Sequence, residues 1–377
     1  VDVRGLYVTP GLIDIHTHVY AGTGERGSYA GDLSVYPDGF TFRTGVTTVA
    51  DAGGSGWRNF ADFEDRVISR SRTRVLAFLN IVGNGMRGSK FENDLMDMDA
   101  DATAKAALEH KDRVVGIKCA HYSGPEWTPV ERAVEAGTKA DIPVMIDFGT
   151  NHPETRPLVQ LLTEKLRPGD IYTHAYSGLR GEVSDSGEPG AGMIEGRKRG
   201  VIFDVGHGGG SFLFRVAAPL TRAGFWPDSL STDLHASSAN GAMKDFLNVA
   251  SKFLALGMPL PDVIAASTWN PAKEIRREEL GNLSVGSPAD VAVLRLADGD
   301  FGFSDHYGAR LKAKQKLVCE LTVREGRVVY DLNAISREDW DKLPAKYGPQ
   351  SDPKWDGTIS KAARAQPTSG KSDAKPK

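Results

Sequence analysis

Two histidines one residue apart close an apolar run, Leu12-Ile13-Asp14-Ile15-His16-Thr17-His18. Side chains alternate along a strand, so His16 and His18 project from one face. Two protonated imidazoles would repel; left neutral, each offers a nitrogen lone pair to a metal ion. Other apolar runs end on polar residues in the same way. Lys118 closes Asp112-Arg-Val-Val-Gly-Ile, His174 closes Asp170-Ile-Tyr-Thr, and Asp233 closes Asp228-Ser-Leu-Ser-Thr. His207 follows the run Gly200–Val205 and opens the loop Gly208-Gly209-Gly210. Each residue alone has a plain reading as well: a strand-end lysine can reach water, and a rim histidine or aspartate can bond loop backbone. Their recurrence at one kind of position is what points to divalent-metal chemistry.

The elements that must hold these residues alternate between strand and helix up to about residue 270, the pattern of a parallel sheet built from βα units. Eight strands are expected, at residues 12–18, 45–51, 74–82, 112–118, 142–148, 170–174, 200–205 and 228–233. This predicts the α/β class and a (β/α)8 barrel, in which chemistry sits at the carboxyl ends of strands. His16, His18, Lys118, His174, His207 and Asp233 all fall there; His110 and His306 do not and read as surface residues. One helix is expected over Asn240–Leu256, its apolar stripe (Met243, Phe246, Leu247, Ala250, Phe253, Leu254) being barrel-packing core. After Trp269-Asn-Pro-Ala272 the pattern changes to a turn and strand at Leu280–Leu294, then a hairpin around Glu325-Gly326. From about residue 345 Pro, Lys, Ser, Ala and Gly dominate, a composition unable to bury a core. The expected domains are a barrel over 1–275, partial β-sandwich strands over 276–332, and a carboxy-terminal segment over 333–377.

The run Pro10-Gly-Leu-Ile-Asp-Ile-His-Thr-His18 resembles the opening motif of the amidohydrolase superfamily, metal-dependent hydrolases on a (β/α)8 barrel. The Gly-rich stretch at 280–294 is similar to the family's return into its β-sandwich, so the resemblance covers roughly residues 1 to 332. It implies two divalent ions, zinc with manganese as the alternative, held by His16, His18, His174 and Asp233. It also implies a CO2-derived carbamate on Lys118 bridging both ions, and Asp233 as the group that takes a proton from the attacking water. The family's fifth strand ends on histidine, whereas this one carries Asp147. Three readings stay open there: Asp147 ligates a second ion, His152 reaches back to it, or one ion binds. Family members also carry amino-terminal strands that complete the sandwich; this chain starts at Val1, so that half is expected to be missing and an upstream leader stays open.

The segments Asp204–Phe212 and Ser231–His235 look most like the dihydroorotase-like or deacetylase-like subgroup. That implies a metal-activated water cleaving an acyl ester or amide, such as an O-acetyl 2-hydroxy acid or an N-acyl amino acid. His207, beside three glycines that allow close backbone approach, is the expected holder of the substrate's carboxylate or carbonyl. Tyr122, Trp127 and Arg156 are expected to shape the pocket. Dihydroorotases usually follow the histidine pair with an arginine; Val19-Tyr20-Ala21 stands here, which weakens the cyclic-amide-hydrolase alternative. A third reading is a non-catalytic barrel that only binds. The net charge of −3 gives no footprint for nucleic acid. Two distant cysteines, Cys119 and Cys319, argue against a disulfide scaffold. No apolar run approaches the ~18 residues of a membrane span. The expectation is a cytoplasmic homo-oligomer acting on a small acylated substrate.

Overall fold

The computed structural model describes residues 1–147 and 154–344. Seven parallel strands form one curled sheet in chain order: β2 (Leu12–Thr17), β3 (Val46–Gly56), β4 (Arg74–Asn80), β5 (Val114–Cys119), β6 (Val144–Ile146), β7 (Ile171–Tyr172) and β8 (Ile202–Phe203). Every residue of β2 and β3 is buried, as strands covered on both faces require. Alternate positions Ile13 and Ile15, Ala50 and Ala52, Leu76 and Phe78 form one apolar cluster inside the sheet, closed off by Ala272, Ile275 and Leu280. The other face packs against helices including Ala100–Glu109, Thr128–Ala140 and Phe246–Ala255.

The eighth segment departs from expectation. Residues 228–233 form no ladder; single bridges join Ser229 to Asp204 and Leu234 to Thr17. Val205 N–H donates to Ser229 C=O (3.3 Å) and His18 N–H to Leu234 C=O (2.8 Å), so the segment still spans β8 to β2. Side chains take the place of ladder bonds here. Thr232 N–H donates to Asp14 Oδ1 (3.0 Å), and Gly206 N–H to Ser231 Oγ (2.9 Å). Asp233 then turns into the left-handed region (φ 50°), which ends any extended strand.

The opening stretch is divided at Gly11. A Cβ there would meet Thr47 Oγ1 at 2.1 Å, so only glycine lets the chain cross this point. Before it, β1 (Tyr7–Pro10) leaves the barrel and pairs antiparallel with β9 (Val291–Ser304). With β10 (Arg310–Arg324) and β11 (Arg327–Asp331) these form a four-stranded sheet, β1-β9-β10-β11. The amino-terminal residues thus supply a strand to the small sheet. Glu325 (φ 50°) and Gly326 (φ 75°) make the two-residue hairpin turn expected from sequence. Asp290 ties this sheet to the barrel, accepting from Arg74 Nη1 (2.6 Å), Arg324 Nη1 (3.2 Å) and Glu325 N–H (2.8 Å).

The helix expected over 240–256 is shorter. Lys244 is left-handed (φ 65°), and Asp245 caps a new helix by accepting from Asn248 N–H (2.7 Å), so the regular turn runs only from Phe246 to Ala255. Cys119 and Cys319 are both free and buried. Asp2–Asn333 form one compact unit; of the residues from 334 on, the described ones contain the single turn Trp340–Lys342. His152 and the composition-biased tail lie outside the described residues. No helix is long and apolar enough to cross a membrane, among the described residues.

Candidate metal centre

Strand ends β2, β5, β6, β7 and the eighth segment converge. His16 Nε2 lies 3.1 Å from Lys118 Nζ and 3.8 Å from Asp233 Oδ1. His18 Nε2 is 3.0 Å from the same Asp233 oxygen, and the His16 and His174 rings are 5.0 Å apart. Asp147 Oδ2 stands 3.2 Å from His174 Nε2. One ligand atom each from His16, His174 and Asp233 fits within 4.8 Å of the others. All of these side chains are buried.

Burial and neighbouring charge set their protonation. Burial drags the His16 imidazole down to about 3, helped by the Lys118 amine against the pull of Asp204 and Asp233. It also lowers Lys118, opposed by Asp147, Asp233 and Asp204. Burial would raise Asp233, but His18, His16 and His235 outweigh it and hold the carboxylate ionised far below its usual range. Asp147 behaves likewise, with His174, His121 and Lys118 outweighing its burial. His16 is therefore a neutral nitrogen donor beside the anionic oxygen donors of Asp233 and Asp147, which suits a borderline divalent ion. One atom makes the fit specific: Asp233 Oδ1 is buried and accepts no aligned hydrogen bond, although His18 Nε2 is close. A buried anionic oxygen without a partner is costly in a protein interior unless a cation satisfies it.

Second partners fix which ring nitrogens face the centre. Thr173 Oγ1 donates to Asp204 Oδ2 (2.7 Å), so toward His16 Nδ1 (2.8 Å) it must accept. The His16 proton therefore sits on Nδ1 and the Nε2 lone pair points at Lys118 and Asp233. His174 Nδ1 donates to Gly206 C=O (2.5 Å) and is oriented the same way. Asp204 also accepts from Ser229 Oγ (2.9 Å) and Ser231 Oγ (2.7 Å), making it the anchor beneath His16. Asp14 does similar work on the backbone, bonding His16 N–H (3.3 Å) and Thr232 N–H (3.0 Å) and so linking the first and last ring segments. The loop between them needs Gly206 (φ 46°) and Gly208 (φ 53°): a Cβ on Gly206 would meet His174 Nδ1 at 2.8 Å, and one on Gly208 would meet Asp233 Oδ2 at 2.3 Å.

A cavity of about 610 Å3 opens over this cluster, with His18, Asp147, His174 and Asp233 at its inner end. Tyr29, His121, Arg180, His235, Ser211 and Ser237 line the rest, along with Gly209, Gly210 and Gly241. His121 Nδ1 pairs with Glu92 (2.6 Å); burial lowers the ring but Glu92 and Asp147 raise it to about 8. The structure places the other expected pocket residues elsewhere. His207 is buried, its Nδ1 bonded to Gly208 C=O (2.9 Å) and its Nε2 to Lys252 Nζ (2.6 Å), with Phe212 stacked on its face. Both ring nitrogens are thus engaged away from the cavity. Tyr122 bonds Glu126 through its hydroxyl, Arg156 donates to Tyr122 C=O (3.2 Å), and Trp127 Nε1 donates to Gln160 (3.2 Å). None of the three lines the cavity. Residues not foreseen, His121 and His235, follow Lys118 and Asp233 by three and two positions, while Tyr29 and Arg180 sit in loops after β2 and β7. The rule that βα loops build such sites pointed at those loops, but nothing in the sequence selected the residues within them.

A curled parallel sheet with buried imidazoles, a lysine and carboxylates at its carboxyl rim defines the class of metal-dependent hydrolase barrels. Comparison with known proteins agrees. The chain is 34% identical over 322 residues to a deacetylase of Agrobacterium fabrum, covering 83% of this chain and 76% of that protein. It is 34% identical over 316 residues to a deacetylase of Brucella anthropi, covering 82% and 76%. Among solved structures it resembles an adenine deaminase (TM-score 0.80, 29% identity, 87% of this chain and 88% of that one). It also resembles a dihydroorotase (TM-score 0.77, 30% identity, 86% and 84%). No family model matches the sequence. The chain belongs to the amidohydrolase superfamily, in its deacetylase and dihydroorotase-like part, and is a metal-dependent hydrolytic enzyme of small molecules.

Proposed function

We propose that this enzyme is an acyl hydrolase of the deacetylase type, cleaving an acyl ester or amide such as an O-acetyl 2-hydroxy acid or an N-acyl amino acid. The observation that carries the reading is the convergence of His16, His174 and Asp233, with Lys118 beside His16 and His18 beside Asp233, at a buried carboxylate oxygen that accepts no aligned hydrogen bond. In this reading His16, His18, His174 and Asp233 would hold divalent ions, zinc first and manganese second, and Lys118, once carbamylated by CO2, and Asp147 would add further oxygen donors. When bound, such ions polarise a carbonyl and bring the pKa of water to about 7. The chain supplies the rest. Burial favours the neutral Lys118 amine, the form that can react with CO2. Asp233, ionised and reaching the centre through Oδ1, takes the proton of the attacking water and returns it to the leaving oxygen or nitrogen. His121, His235 and Tyr29 surround the space where the leaving part lies.

The names of the two 34% identical relatives support deacetylation. The likeness to a dihydroorotase structure keeps cyclic amide hydrolysis as the second reading. A panel of O-acetyl 2-hydroxy acids, N-acetyl amino acids, dihydroorotate and hydantoins, assayed with zinc or manganese present, separates the two. Turnover of open-chain acyl compounds is expected and should disappear on chelation. Turnover of ring amides alone would replace the proposal with the second reading.

A further inference from the structure

The loop that follows β8 is gripped from outside the barrel, by the tip of the β9–β10 hairpin. Asp305 shapes that tip: its Oδ1 accepts from Tyr307 N–H (3.1 Å) and Ala309 N–H (2.8 Å). Its Oδ2 accepts from Phe214 N–H (3.0 Å), at the start of the helix Phe214–Arg222, which Leu213 leaves without a side-chain cap. His306 N–H donates to Phe212 C=O (3.2 Å). Its Nδ1 lies 2.9 Å from that oxygen and 3.2 Å from Phe212 N. Nδ1 thus has a partner in either tautomer, donating to the carbonyl or accepting from the amide. His306, expected at the surface from sequence, is half-buried, and Asp305 is buried.

What the tip grips leads to the metal centre. Phe212 is buried and stacks on His207, the ring centroids 4.6 Å apart. His207 Nδ1 donates to Gly208 C=O (2.9 Å), and Gly208 N–H donates to Thr232 C=O (2.9 Å). Gly208 packs so close to Asp233 that an added Cβ would lie 2.3 Å from Oδ2. Between these two ends, Gly209, Gly210 and Ser211 line the cavity. The hairpin tip therefore fixes one end of a loop whose other end touches the carboxylate.

We propose that Asp305 and His306 are positioning residues for the hydrolysis: the hairpin tip holds the Gly208–Phe212 loop in place against Asp233. The effect on rate rests on the reading of Asp233 as the group that moves the proton; the grip on the loop stands by itself.

The test uses the full chain loaded with metal. It follows kcat and KM on an open-chain acyl substrate, the thermal midpoint, and hydrogen exchange of peptides spanning residues 207–214. In His306→Ala and Asp305→Ala, kcat should fall roughly 10- to 100-fold, the effect of misplacing a reacting group by about 1 Å. KM and the midpoint should move little, and exchange over 207–214 should be several-fold faster. His306→Asn, whose amide can take the place of Nδ1, should restore most of the rate. Lys314→Ala removes the exposed Lys314–Asp300 pair of the same hairpin and should keep the wild-type rate. A wild-type kcat in folded His306→Ala would overturn the proposal, whatever the exchange shows. So would a rate loss that His306→Asn fails to restore, or an equal loss in Lys314→Ala. If Asp305→Ala does not fold, His306→Ala decides. If wild type turns over no acyl substrate, the hydrolase reading falls and exchange alone judges the grip: faster in His306→Ala supports it, unchanged rejects it.

Discussion

Thr173 shows how little is needed to set a ligand's chemistry. Its hydroxyl stands between Asp204 and His16 and can only accept from the imidazole, so it decides which nitrogen carries the proton. Thr173→Val keeps the shape and removes the acceptor. Metal affinity, followed by competition with a chelator, should fall roughly 10- to 100-fold, while Thr173→Ser should restore it. A second residue speaks through pH. Burial pulls the Lys252 ammonium from 10.5 down to about 7, and its nitrogen bonds His207 and Ala242 C=O. From about pH 7 to about 10.5 the unfolded chain binds more protons at this site than the folded one. Stability therefore rises with pH across that window and is lowest below it. The wild-type advantage over Lys252→Met in urea unfolding should grow from neutral to alkaline pH; a shrinking advantage would show that the folded protein keeps the charge.

At the scale of elements, placement depends on how strands end. β5 delivers Lys118 and β7 runs into His174, while the loop from β8 carries two left-handed glycines against Asp233 and His174. Gly208→Ala sets a methyl where Asp233 Oδ2 now lies and asks alanine for a positive φ. Displacing a reacting group by about 1 Å can cost on the order of 100-fold in rate, so kcat should drop by that order while the thermal midpoint moves little. A loss confined to stability would mean the loop only supports the fold. Ligand-type residues were legible because they terminate apolar runs, and a strand's end is written in its composition. Long-range substitutions for regular structure were not. Sequence does not show that Asp14 replaces a ladder bond to Thr232, that Asp245 starts a helix five residues late, or that Pro10 belongs to another sheet. Nor could it show Lys252 drawing His207 away from the cavity, because the two are 45 positions apart.

On the scale of the whole molecule, the site exists only when the ring closes. His16 and His18 come from its first segment and Asp233 from its last, joined by Asp14 and by the His18–Leu234 backbone bond rather than by a continuous ladder. The small sheet is tied to the barrel from outside at β4, through Asp290 and Arg74. The curled parallel sheet and its rim of donors followed from the alternation of strand and helix and from strand ends, whereas the outer cavity wall came from loops whose course no local pattern dictates. The most direct test is elemental analysis of the purified protein beside Lys118→Ala, each prepared with and without bicarbonate. About two equivalents of zinc or manganese are expected in wild type, with a bicarbonate dependence that Lys118→Ala loses along with part of its metal. Wild type that binds no divalent ion under supplementation, or a variant that matches it in content and bicarbonate response, would contradict the account.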